Sequence, residues 1–267
     1  MNESPRITVI MGIYNCADTL IEALESLETQ TYKRFKVVLC DDGSKDNTLE
    51  VAIKWTEIHP NYLVIKNEEN LGLNATLNHC LEYADTEFVA RMDGDDRSLP
   101  LRFEQEVALL DEHPEYAIVS GPMYYFDDQG VFMKGKGCGV VTKQNFIAGT
   151  PFCHAPCMVR REAYEKVGGY TVDPKLLRVE DYHLWFKMYA AGYKGYMLKY
   201  PIYEMRDARD AVARRTFKSR LNEAYVKHIG YKMIGLPWWT QIYCIVPIIK
   251  GMMPKWLYSW LHQRKVC

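Results

Sequence analysis

Ile7-Thr8-Val9-Ile10-Met11-Gly12-Ile13 is short, β-branched and almost continuously apolar, which is the composition of a parallel strand buried on both faces. Apolar residues then recur at helical spacing, Leu20, Ile21, Leu24 and Leu27, with Asp18 placed to cap that helix. A second buried strand follows at Phe35-Lys36-Val37-Val38-Leu39-Cys40. The alternation continues with a helix over 48–58, a strand over 62–65, a helix over 73–83 and a strand over 87–91. Such a rhythm predicts an α/β fold with a mainly parallel central sheet, right-handed crossovers and flanking helices. In sheets of this kind ligands bind beyond the carboxyl ends of the strands.

Three polar segments sit at those ends: Gly12-Ile13-Tyr14-Asn15, Asp41-Asp42-Gly43-Ser44 and Asp93-Gly94-Asp95-Asp96. Carboxylates as close as those of the third repel unless a cation, a proton or full solvation offsets them. Asp-x-Asp is an oxygen-ligand set for Mg2+ or Mn2+, and equally the composition of a solvated turn. Neither Gly-x-Gly-x-x-Gly nor Gly-Lys-Ser/Thr is present, so the familiar dinucleotide and phosphate loops are not expected. A Tyr14 ring can pack on a base, Asp42 can accept an imide N–H, and a cation at Asp95 can hold a diphosphate. Singly, Tyr14 reads equally as packing and Asp42 as a turn or helix cap.

The rest of the chain predicts a helix over 101–112, opened by Pro100 with Ser98 as its cap, and a strand over 117–121. A hairpin turning at Asp127-Asp128-Gln129-Gly130, a strand over 157–160, a helix over 161–167 and a break at Gly168-Gly169 come next. Leu184, Met188 and Ala191 then share a helical stripe starting just after Glu180-Asp181.

Glycine, tyrosine and acid segments in this order resemble the motif series of family 2 glycosyltransferases with the GT-A fold. The segments are Ile10-Met11-Gly12-Ile13-Tyr14-Asn15, the run from Val38 to Thr48, Asn70-Leu71-Gly72-Leu73-Asn74, Met92-Asp93-Gly94-Asp95-Asp96 and Val179-Glu180-Asp181-Tyr182-His183-Leu184-Trp185. The resemblance, over about residues 5–206, implies transfer of a sugar from a nucleotide sugar to a hydroxyl of a saccharide or lipid-linked saccharide, with inversion. It implies donor contacts at Gly12, Tyr14, Asn15, Asp42 and Gly72, with Asp93 near the ribose. Asp95, with Asp93, would bind the divalent cation, Mn2+ or Mg2+. Asp181 would be the general base, with Glu180 orienting it or touching the acceptor. Gly12 departs from the Pro or small polar residue usual there. UDP is the usual nucleotide of such donors, though thymidine and guanosine donors occur in the family. Two rivals are a nucleotidyltransferase, which would want a Gly-rich, Arg- and Lys-bearing loop after the first strand, and a non-catalytic membrane-associated scaffold. His154 reads as a core or loop histidine, and helix geometry points His183 away from Asp181.

Charge divides the chain. Residues 206–267 hold 12 Lys and Arg against three Asp and Glu, leaving 21 against 31 for residues 1–205. The expected organisation is a catalytic domain over 1–205, with a donor part about 1–100 and an acceptor part about 101–205, and a basic, Trp-rich helical region over 206–267. Trp238, Trp239, Trp256 and Trp260, interleaved with Lys250, Lys255, Arg264 and Lys265, suit an anionic membrane surface. They suit equally a helical lid on the body or a contact with a second copy. Nucleic acid is not expected, because no recognisable module accompanies the basic residues. No charged-then-apolar leader and no apolar run of roughly 18–20 residues is present, so neither a signal segment nor a bilayer span is expected. The eight cysteines are scattered as reduced thiols would be, and Cys153-His154-Ala155-Pro156-Cys157 lacks the second pair a zinc site needs. The expected location is cytoplasmic, with contact at the inner membrane face as an alternative.

Overall fold

A computed structural model describes residues 4–207 and 216–253. β1 (Ile7–Ile13), α1 (Ala17–Glu28), β2 (Phe35–Asp41), α2 (Thr48–Ile58), β3 (Tyr62–Lys66), α3 (Leu73–Leu81) and β4 (Phe88–Arg91) reproduce the alternating order read from the sequence. β1 pairs in parallel with both β2 and β4, and β2 with β3. The strands are apolar on both faces because both faces are covered. Val9 and Met11 join one core with Val37 and Leu39, while Ile10, Val38 and Cys40 point into a second on the other side.

The chain continues through β5 (Arg97–Ser98), α4 (Arg102–Glu112), β6 (Tyr116–Ser120), β7 (Met123–Asp127), β8 (Gly130–Lys134), β9 (Gly139–Val141) and α5 (Asn145–Ala148). Then come β10 (Met158–Arg160), α6 (Arg161–Val167), a 3-10 turn at Pro174–Leu176, α7 (Glu180–Ala190), β11 (Lys194–Met197) and β12 (Tyr203–Arg206). Eight strands form the central sheet in the order β3-β2-β1-β4-β10-β6-β11-β9. β10 runs antiparallel to both its neighbours, β4 and β6, so the second half is mixed. A smaller sheet, β5-β12-β7-β8, holds the hairpin at Asp127–Gly130 and brings β12 alongside the segment just after β4.

Three local expectations are corrected. Asp18 lies in the first turn of α1, and Cys16 takes the cap position without a side-chain bond. The Cys16 and Ala17 N–H groups donate instead to Thr48 Oγ1 (2.8 Å), at the start of α2, and Asp46 Oδ2 (3.2 Å) on the loop before it, which stitches the segments after β1 and β2 together. Ser98 is drawn into β5, its N–H donating to Ser26 Oγ at 2.9 Å, so α4 starts after Leu101. Arg206 closes β12 and is not part of a helix.

The C-terminal region is helical where described. α8 (Phe217–Met233) is capped by Thr216, whose hydroxyl accepts the Ser219 N–H, and a 3-10 turn at Trp238–Cys244 and α9 (Ile245–Met252) follow. Gly230 marks the close approach of α8 to α7: a Cβ there would lie 2.2 Å from Phe186 Cδ2. Among the described residues no helix is long and apolar enough to cross a membrane. Lys255, Trp256, Trp260, Arg264 and Lys265 lie outside the described residues.

Candidate active site

The carboxyl ends of β1 and β4 meet in a cleft of about 410 Å³ lined by Gly12, Tyr14, Asn15, Asp93, Asp95 and Arg206, among others. Asn15 holds the left-handed conformation (φ 48°) because its flanks are fixed from both sides. Its N–H donates to Ser44 Oγ at 3.0 Å, and its Oδ1 accepts the Lys45 N–H at 2.8 Å. The Tyr14 ring is 43% exposed beside it.

Asp42 and Gly72 lie apart from this lining. The buried Asp42 carboxylate accepts from Asn67 Nδ2 (2.8 Å) and the Leu71 N–H (2.9 Å) on Oδ1, and from the Gly72 N–H (2.9 Å) on Oδ2. Of about four lone-pair sites three are therefore filled, so Asp42 shapes the 71–72 turn and keeps one site for a further donor such as an imide N–H. Gly72 reaches φ +83°, a backbone state that favours glycine, at the start of α3. Asn67 is the hub beneath: its Nδ2 also donates to Thr76 Oγ1 at 3.1 Å, and its Oδ1 lies 2.9 Å from His79 Nδ1.

Asp93, Asp95 and Asp96 bring carboxylate oxygens within 4.8 Å of one another. Their environments differ. Asp93 is gripped at both oxygens by the buried Arg91 guanidinium, and its N–H donates to the Tyr203 hydroxyl at 3.2 Å. Its charge is thus compensated within the protein, which makes it a weaker candidate ligand than the sequence implied. Asp95 lines the cleft, and its carboxyl is raised above the usual range by partial desolvation there and then by the Asp93 charge. Asp96 is buried: Oδ1 accepts the Arg206 N–H at 2.8 Å, while Oδ2 has no partner. Burial, then the charges of Asp93 and Asp95, push it up to about 8. The Arg206 guanidinium donates to the Asp95 carbonyl at 3.2 Å, pairs with Glu22 and lies 4.6 Å over the Phe126 ring.

Glu180 and Asp181 open α7. Asp181 is partly exposed and accepts from Thr150 Oγ1 at 3.4 Å. Burial and the neighbouring Glu180 charge push its carboxyl up to about 6, against the lowering pull of Arg91 and Thr150. Glu180 is raised too, chiefly by burial, and its Oε2 is buried without a partner. One guanidinium, that of Arg91, thus acts on the Asp93 side and on the Asp181 side of the site. His154 is held neutral by burial, its Nε2 2.8 Å from the Tyr170 hydroxyl, which fits the core reading. His183 is buried and pushed down to about 4.

Arg91, Arg206, Asn67 and Tyr203 were not singled out from the sequence. Arg91 carried a usable signal, since a lone charge closing an apolar strand two residues before an acidic cluster calls for a partner. Arg206 was grouped with the basic tail, and only the pairing of β12 with β5 brings it here.

The glycosyl transferase family 2 model matches residues 8–168. Glycosyltransferase EpsE of Bacillus subtilis (strain 168) is 38% identical, the alignment covering 100% of this chain and 96% of that protein. The UDP-Glc:alpha-D-GlcNAc-diphosphoundecaprenol beta-1,3-glucosyltransferase WfaP of Escherichia coli is 24% identical over 97% of this chain and 98% of its own length. Among solved structures, S. aureus TarS 1-349 in complex with UDP-GlcNAc superposes with a TM-score of 0.70 at 20% identity, covering 92% of this chain and 71% of that one. With the family model spanning most of its length and a relative matched end to end, the chain belongs to the family 2 glycosyltransferases and has their GT-A fold.

Proposed function

We propose that the cleft binds a nucleotide sugar, UDP-linked, and that Asp181 deprotonates an acceptor hydroxyl so that a single displacement inverts the anomeric centre. The observation that carries this reading is the Asp181 carboxyl at the start of α7, pushed up to about 6 by burial and by Glu180, within the field of the same Arg91 that grips Asp93. A base poised near neutral pH is what proton abstraction from a hydroxyl requires. UDP as the nucleotide is supported by the UDP-Glc and UDP-GlcNAc in the names of WfaP and the TarS complex. The nucleotidyltransferase and scaffold alternatives give way to the family assignment.

The residues fit a divalent cation. Asp95 faces the cleft, Asp96 keeps a buried oxygen without a partner, and burial, then the neighbouring charges, raises both carboxyls. Asp95 would hold Mn2+ or Mg2+, with Asp93 secondary to it. Bound there, the cation would supply positive charge to the diphosphate as the anomeric C–O bond breaks. Tyr14 offers its ring to the base, and Asp42 fixes the turn at Gly72. Asp181 takes the proton, the acceptor oxygen bonds to the anomeric carbon on the face opposite the diphosphate, and the diphosphate leaves with the bonding electrons. Glu180 keeps the Asp181 carboxyl raised. The acceptor is a saccharide or lipid-linked saccharide hydroxyl, a choice supported by the diphosphoundecaprenol acceptor in WfaP's name.

The test is transfer from UDP-glucose, UDP-galactose and UDP-GlcNAc, with GDP- and dTDP-sugars alongside, the product anomer read by NMR. Inversion, and a fall in kcat of roughly 10²–10⁴ in Asp181→Asn with the donor KM little changed, are expected. A retained anomeric configuration would remove Asp181 from its role.

A further inference from the structure

The 3-10 turn Trp238–Cys244 and α9 fold back on α8 and turn one apolar side away from every described residue. Trp238 is 85% exposed, Met252 75% and Ile242 69%, and Trp239, Ile245 and Ile249 are exposed with them. Steps of three and four from Ile242 through Ile245 and Ile249 to Met252 put these residues on one side, whereas Thr240 and Pro247 are buried on the other. An aromatic and aliphatic face of this kind is what soluble surfaces avoid unless something covers it.

Charge identifies the cover. No Asp or Glu follows Glu223, while Lys232, Lys250, Lys255, Arg264 and Lys265 do, so the face belongs to a purely cationic stretch of sequence. Tryptophan rings settle at the headgroup level of bilayers, and lysines and arginines beside an apolar helix face add attraction to anionic lipid. We propose that this face docks on the headgroup layer of an anionic bilayer. For the lipid-linked acceptor, which rests on the function proposed above, docking holds the base at the surface where that acceptor lies. α8 connects this face to α7, the helix that Glu180 and Asp181 open. α8 packs on α7 at Gly230 and Phe186, Asn222 Nδ2 donates to the Leu177 carbonyl at 3.1 Å, and the Lys227 ammonium and Tyr231 hydroxyl both donate to the Ile147 carbonyl at 3.2 Å.

Co-sedimentation of the full-length protein with phosphatidylcholine vesicles, and with vesicles containing about one third phosphatidylglycerol, tests the proposal. Binding to the anionic vesicles alone, weakening as salt rises, is expected. Trp238→Ser/Ile242→Ser, both at exposed positions, should lower the bound fraction's partition coefficient by roughly tenfold or more. Transfer to a water-soluble acceptor should be unchanged in that variant. Failure of the wild type to sediment with anionic vesicles would overturn the proposal, as would equal partitioning of wild type and variant. A dimer in analytical ultracentrifugation that the double substitution dissolves, with no vesicle binding, would assign the face to a second copy instead. Vesicle binding is read without turnover, so it stands or falls independently of the transfer chemistry.

Discussion

Replacing Asp181 by Asn should stabilise the folded protein at neutral pH even as it stops transfer. Asp181 is pushed up from an ordinary 3.8 to about 6 by burial and by Glu180. A gap of roughly two pKa units corresponds to about 3 kcal/mol of folding free energy lost when the carboxyl is ionised. Asn keeps an acceptor oxygen for Thr150 and carries no charge, so about 1–3 kcal/mol should be recovered. The sign follows from proton binding. Between about pH 4 and pH 6 the folded state holds a proton that the unfolded chain has released, so the wild type loses stability as pH rises through that window. The advantage of the variant should therefore be small near pH 4, reach about half its full value at pH 5, and level off above pH 7. Urea unfolding of both proteins without ligand at pH 5 and pH 7.5 measures it. An advantage that is absent, or the same at both pH values, would refute the raised carboxyl.

Gly94→Ala should weaken UDP binding about tenfold, because the added Cβ would lie 2.8 Å from Cys16 Sγ on the cleft wall and force the motif to shift. Combining it with Cys16→Ala should restore most of the loss, as calorimetry would report. Gly230→Ala should cost about 1–3 kcal/mol in chemical denaturation, since overpacking against Phe186 outweighs the gain in helix propensity. Asp42→Asn should loosen the 71–72 turn, leaving an amide N–H2 facing a backbone N–H at a cost of about 1–3 kcal/mol, and lower nucleotide affinity from behind the cleft.

The first half of the fold was legible because both faces of its strands are buried. Val37 and Val38 point into different cores, and that requirement writes itself as a continuous apolar run. The direction of β10 was not legible, since a strand's composition is the same whichever way it runs and only its partners, Ala90 on one side and Val119 on the other, reveal it. The site divides the same way. Asp95 and Asp181 are named by their place in the motif series, since alone each reads equally as a turn or first-turn helix carboxylate. The part Asp42 plays in the 71–72 turn is not legible, because its partners, the Leu71 and Gly72 amides, lie about thirty residues away and carry no side-chain signature. Arg91 ends β4 two residues before Asp93, yet its own apolar strand says nothing of that pairing, and Arg206 falls with the tail because nothing local says that β12 returns to the acidic cluster.

The central claim is that Asp95 joins the nucleotide to a divalent cation in the β1–β4 cleft. Calorimetric titration of UDP into the wild type and Asp95→Ala, each with and without Mn2+, tests it most directly. The wild type should bind UDP at least tenfold more tightly with Mn2+ than without it, and the variant should lose that increment. An Asp95→Ala protein that keeps the full Mn2+-dependent gain would contradict the account.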